Sequence, residues 1–125
     1  MLSHVSFGTN DAGRAAAFYD PVLAVLGIAK GKRRGGSIDY SAATIGFSLE
    51  QPVDGKPASV GNGAHVGFIA ESRAQVDEFH RVALASGGTD DGPPGLRPEY
   101  DGNYYAAFVR DPDGNKVEAV CFMAR

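Results

Sequence analysis

Residues 4–28 read HVSFGTNDAGRAAAFYDPVLAVLGI, and residues 65–89 read HVGFIAESRAQVDEFHRVALASGGT. Laid over each other without a gap, they pair His4 with His65, Val5 with Val66, Phe7 with Phe68, Phe18 with Phe79, Leu23 with Leu84 and Gly27 with Gly88. The matches fall at anchor positions, so the chain reads as an internal repeat. Each copy opens with a short run alternating at period two, the mark of a half-buried strand. Helix-capping residues follow, Thr9-Asn10-Asp11 in one copy and Glu71-Ser72 in the other. Two apolar stripes at helical spacing come next: Ala15, Phe18, Val22 and Val25 or Leu26, then Val76, Phe79, Ala83 and Leu84. Pro21 is expected to kink the first helix or start a second short turn. Gly27 and Gly87-Gly88 supply the left-handed stop.

Working outward, each helix is followed by short apolar stretches. Copy one has Ser37–Tyr40 and Thr44–Glu50; copy two has Tyr104–Arg110 and Lys116–Met123. The latter two are joined by Asp111-Pro112-Asp113-Gly114-Asn115, a strong hairpin signal because Pro sets φ and Gly or Asn accepts positive φ. A further strand per copy is placed near Ala29–Lys32 and Thr89–Gly92, and Gly92–Gly102 reads as a long loop. The expectation is one α+β domain over residues 1–125, made of two βαβββ repeats forming a curved mixed sheet around a central hollow. Repeat one covers about 1–52 and repeat two about 63–125, with a linker at about 53–62.

Composition narrows the function. The chain has 125 residues, 43% of them apolar and 22% charged, which suits one globular core. A net charge of −3 argues against a nucleic-acid partner. The basic cluster Lys30-Gly31-Lys32-Arg33-Arg34 reads as a solvated loop, and the single cysteine, Cys121, as core. No apolar run approaches the length of a membrane span, and no signal-peptide pattern opens the chain. No membrane partner is expected, and a cytoplasmic location is the default expectation.

Strand alternation places the candidate chemistry. Val5 and Phe7 oppose His4 and Ser6, while Val66 and Phe68 oppose His65 and Gly67. The apolar faces should meet the helices. The other faces carry a histidine and small residues at the same place in both copies. In the last strand Glu118 falls on the hollow face with Lys116, Val120 and Phe122. Two histidines and a carboxylate, His4, His65 and Glu118, make a reasonable first shell for a divalent metal with open positions. Such a metal would polarise a substrate oxygen. Tyr104 and Tyr105 alternate, so only one lines the hollow. Arg97 and Tyr100 read either as substrate contacts or as loop anchors. His80 reads as surface or helix packing. Asp111, Asp113 and Asn115 read as turn formers.

The segments His4-Val5, Ala17-Phe18-Tyr19-Asp20 with Leu23 and Leu26-Gly27, His65-Val66-Gly67-Phe68, and Phe108 through Glu118 resemble the vicinal oxygen chelate superfamily. That family includes glyoxalases, bleomycin-resistance proteins and extradiol dioxygenases. The resemblance implies metal ligands at His4, His65 and Glu118 and a homodimer whose second subunit often completes the site. It also implies a zinc, nickel, iron or manganese ion and a small oxygenated substrate, handled by an enzyme similar to lactoylglutathione lyase or to the dioxygenases. Glyoxalase-type members use a fourth ligand, Glu or Gln, late in copy one. Here Ser48 registers with Glu118, and Glu50 lies two residues further along the same face. Glu50 is therefore the reserve ligand and, with Glu118, a candidate catalytic carboxylate. Ser48, Arg97, Tyr100 and Tyr104 are the candidate substrate contacts. The competing expectation is a metal-free protein that sequesters an amphipathic small molecule in the same hollow.

Overall fold

The computed structural model describes residues 1–41 and 44–124. In chain order the elements are β1 (His4–Gly8), α1 (Ala12–Val25), β2 (Lys32–Arg34), β3 (Ser37–Ser41), β4 (Gly46–Glu50), β5 (His65–Ile69), α2 (Arg73–Ala85), β6 (Thr89–Leu96), β7 (Tyr105–Arg110) and β8 (Lys116–Cys121). This is βαβββ twice. The strands form two four-stranded mixed sheets of matching order, β1-β4-β3-β2 and β5-β8-β7-β6. In both, the opening strand runs parallel to the closing one, and the remaining pairs are antiparallel.

Local chemistry explains the helices. Asp11 sits extended at the start of α1 and accepts the Arg14 amide at 2.9 Å; Ser72 does the same for Gln75 at 3.1 Å before α2. Both fill donors that a helix start leaves unpaired. Gly27 and Gly87 follow the helices with φ of +80° and +101°, where a side chain would be strained. α1 runs through Pro21 as a single helix, so no second turn starts there. Phe18, Tyr19, Val22 and Leu23 are fully buried on the same face, and that packing outweighs the backbone bond a mid-helix proline forfeits. In α2, Val76, Phe79 and Ala83 are buried as their spacing demands. Leu84, expected in the stripe, is instead exposed.

The core joins the two repeats. Phe47 of β4 meets Phe7, Tyr19 and, at 5.2 Å between ring centroids, Phe68 of β5. Cys121 lies fully buried in it. A polar clasp adds to this union. Asp113 accepts the Thr9 hydroxyl at 2.6 Å, the Asn10 amide at 3.0 Å and the Arg14 guanidinium at 2.8 Å. Tyr19 donates to Asp111 at 2.6 Å, and the Asn115 amide donates to the Gly8 carbonyl at 3.0 Å. The turn formers of copy two therefore also bind copy one.

Two boundaries differ from expectation. The strand placed near Ala29–Lys32 is β2 at Lys32–Arg34, so Lys32, Arg33 and Arg34 of the basic cluster, expected as a loop, pair with β3. β6 is also longer than expected. Gly92–Gly102 is not all loop, because β6 continues to Leu96 through Pro93 and Pro94. β6 is the outer strand of its sheet, where a residue without an amide hydrogen is tolerated, and its pairing with β7 slips at two places to accommodate them.

Candidate functional site

The strand registers lay out two equivalent polar rows. In the first sheet Ser6, Ser48 and Asp39 stand side by side across β1, β4 and β3. In the second, Gly67, Glu118 and Phe108 stand at the matching places on β5, β8 and β7. Ser48 is thus the counterpart of Glu118. One step back along each opening strand's face stand His4, beside Gly46, and His65, beside Lys116.

The second row is organised around Glu118, whose residue surface is 2% exposed. His65 Nε2 lies 3.0 Å from Glu118 Oε1, and the Tyr104 hydroxyl donates to Oε2. A carboxylate this enclosed needs such partners, since burial without them is costly. Gly67 provides the space: a Cβ there would stand 3.1 Å from Glu118 Oε1. Burial, and next the bond to Glu118, hold the Tyr104 phenol above its ordinary range. These side chains, with Tyr100, Phe108 and Lys116, line a cavity of about 430 Å³. Tyr105 points the other way, donating to Asp77 of α2 at 2.6 Å.

The first row is held by an arginine. Arg34 grips Asp39 through two nitrogens at 3.0 and 2.9 Å and reaches Glu50 at 2.6 Å; Ser37 also donates to Glu50, at 3.2 Å. The Ser48 hydroxyl, then Arg34 and Ser37, hold the Glu50 carboxyl below the usual carboxylate range. Arg34 lowers that of Asp39, with a smaller contribution from His4. His4 has Ser3 at 2.9 Å from Nδ1. His4, Arg34, Asp39, Ser48 and Glu50 line a separate cavity of about 280 Å³.

The structure thus brings His65, Glu118 and Tyr104 together and places His4, Ser48 and Glu50 in another hollow. Among the described residues, no three His, Cys, Asp or Glu side chains gather as a group within the chain. Arg97 anchors the loop, donating to the carbonyls of Gly95 at 2.9 Å and Pro93 at 2.7 Å, while its guanidinium covers the Phe108 ring. His80 pairs with Asp90 at 2.8 Å. Sequence reading placed Lys116 on the hollow face but missed Arg34, Asp39 and Phe108 as lining residues. Phe108 shares the phase of Tyr104, but putting that phase on the Glu118 face takes the β7–β8 register. The Arg34 bond depends on a hairpin register that spacing alone does not give.

Two βαβββ units in one chain, with equivalent histidines opening their first strands, define the glyoxalase-like class of fold. The chain belongs to the Glyoxalase/Bleomycin resistance protein/Dioxygenase superfamily, which matches residues 1–119. It is similar to a glyoxalase/bleomycin resistance protein from Albidiferax ferrireducens T118, with 41% identity, TM-score 0.89, and 97% of this chain and 98% of that one covered. It shares its fold with a lactoylglutathione lyase from Agrobacterium tumefaciens at 23% identity and TM-score 0.68, covering 97% and 92%. It likewise shares it with a glyoxalase-related enzyme from Fulvimarina pelagi at 19% identity and TM-score 0.76, covering 97% and 87%. No curated protein matches the chain. Among the described residues, no helix is long and apolar enough to cross a membrane.

Proposed function

We propose that the protein is a homodimeric, divalent-metal-dependent enzyme of the glyoxalase or dioxygenase type, acting on a small oxygenated substrate. Its site would be assembled from the His4 half of one copy and the His65–Glu118 half of another. The observation that carries this reading is the buried Glu118 carboxylate with His65 Nε2 3.0 Å away, facing a cavity. One imidazole and one carboxylate from the second half, joined by the equivalent His4 of the first, form a donor set suited to zinc, nickel, iron or manganese. The separation of the two hollows within one chain supports completion by a second copy.

His4, His65 and Glu118 would hold the ion, which when bound supplies Lewis-acid polarisation of a substrate oxygen. The chain's own residues set the rest. Tyr104 fixes the plane of the Glu118 carboxylate. Gly67 leaves the space that the carboxylate occupies. The Tyr100, Tyr104 and Phe108 rings shed water from the second half. Ser48 offers a hydroxyl where glyoxalase-type members place a fourth carboxylate or amide ligand, and Glu50 is occupied by Arg34 and Ser37. A site with three protein ligands and no second base beside them supports oxygen-chelating or transfer chemistry over proton shuttling.

Elemental analysis of protein purified without a chelator or a metal-binding tag tests the proposal. A stoichiometric divalent ion, lost in His4→Ala, His65→Ala and Glu118→Ala, is expected. Metal content untouched by all three substitutions contradicts it. Light scattering should give the mass of a dimer at tens of micromolar, an order-of-magnitude concentration for a stable interface.

A second reading is supported by the partners already on both Glu118 oxygens. It is a metal-free dimer that sequesters a small molecule in the same hollow. Ligand-induced thermal stabilisation that persists in excess chelator favours it.

A further inference from the structure

The second-repeat half of the site carries a wall that holding a metal does not require. Tyr100 and Tyr104 lie 5.0 Å apart between ring centroids, and Tyr104 meets Phe122 edge-on at 5.3 Å. Phe108 stands beside Glu118 on the same face. Tyr100 is 64% exposed, which leaves much of its ring open to a partner. Aromatic rings gathered at these spacings with open faces suit a flat partner, in offset or edge-to-face contact.

Charge narrows the partner further. The cavity of about 430 Å³ adjoins a second one, of about 510 Å³, through their shared lining residues His65 and Lys116; the second also holds Arg110. Arg110 and Lys116 lean on one carboxylate, Asp91, at 2.9 and 3.6 Å. With Glu118 on the same cavity wall and the Arg97 guanidinium over Phe108, three cations, Arg97, Arg110 and Lys116, stand against two carboxylates, Asp91 and Glu118, around the two cavities. Lys116 Nζ also lies 5.0 Å from the Phe108 centroid, and the Arg97 guanidinium 5.6 Å, so a cationic ligand would find that ring already claimed.

We propose that the ligand taken by this half of the site is a planar aromatic anion, its ring against Tyr100 and Tyr104 and its acidic group toward Lys116 and Arg110. The inference rests on reading this half as ligand-bearing, and it holds with or without a metal. It distinguishes the protein from a handler of purely aliphatic substrates.

The test is calorimetric titration of the full-length protein with four probes: benzoate, cyclohexanecarboxylate, benzamide and benzylamine. Each is run once in excess EDTA and once with saturating zinc. Benzoate should bind about three- to tenfold more tightly than cyclohexanecarboxylate, the worth of an aromatic contact beyond burial. Benzamide should be weaker than benzoate, and benzylamine weakest. Tyr100→Ala should erase the benzoate advantage and leave cyclohexanecarboxylate unchanged, whereas Lys116→Met should weaken both carboxylates. Equal binding of the two carboxylates, stronger binding of benzylamine, or no saturable benzoate binding in either arm overturns the proposal. If benzoate binds alike in both arms and zinc itself does not bind, the metal reading fails while this one stands.

Discussion

At the scale of single residues, Tyr104 and Tyr19 show how a phenol serves a buried carboxylate. Tyr104 donates to Glu118 from beside the cavity, as an outer partner that orients a ligating side chain. Tyr104→Phe keeps the ring and removes the hydroxyl. It should weaken zinc binding by about tenfold or more while leaving benzoate binding in EDTA intact, as competition against a chelating dye and calorimetry would show. Tyr19 is wholly enclosed and donates to Asp111 at 2.6 Å. Burial first, then the Asp111 charge, raise its pKa well above the ordinary value. In the unfolded chain the phenol titrates near pH ~10. Above that pH the unfolded state releases a proton that the native state keeps, so stability present below about pH 10 falls as pH rises. Tyr19→Phe should cost about 1–3 kcal/mol at neutral pH by leaving Asp111 short of a donor. It should also flatten the alkaline decline of the melting temperature, with Tyr40, similarly raised by burial and its bond to Asp20, keeping part of the slope. An alkaline decline unchanged in the variant would contradict the assignment.

At the scale of elements, what could be read from the sequence depended on whether the signal was local. The opening strands, both helices and the turn at Asp111–Asn115 were legible because period, caps and turn residues lie within a few positions of each other. The polar face of β8 followed from the same alternation, and so Glu118 was found. β6 was misread past Gly92 because Pro93 and Pro94 signal loop, and only its place at the sheet edge makes them tolerable. The clasp at Asp113 was legible only as a turn, since its partners Thr9, Asn10 and Arg14 lie about a hundred residues away in sequence. Spacing said nothing of Arg34 tying up Glu50. The clasp gives an element-scale prediction. Asp113→Ala removes one acceptor from three donors, one of them charged, and should cost about 2–4 kcal/mol. Chemical denaturation should show an earlier midpoint with an unchanged slope, because the fold itself persists. A midpoint equal to the parent's would mean that the Phe47–Phe68 contact and its surroundings hold the repeats together without the clasp.

At the scale of the whole molecule, the repeat produces two hollows of unequal chemistry. One offers His4 among Arg34, Asp39 and Ser48; the other offers His65 and Glu118 among aromatic rings. Among the described residues neither holds three metal donors free of other claims, so the proposed site joins halves from two copies. Mixed dimers test that claim most directly. His4→Ala and Glu118→Ala chains, each carrying a different affinity tag placed away from the site, are co-expressed, and the doubly tagged dimer is isolated. Its divalent metal is then measured against the two parent variants. If the site spans copies, one of the two sites carries both substitutions and the other carries none. The mixed dimer should then bind one ion per dimer with wild-type affinity, while each parent variant binds weakly or not at all. A mixed dimer no better than its parents would place the three residues within a single chain or outside any metal site, and would contradict the account.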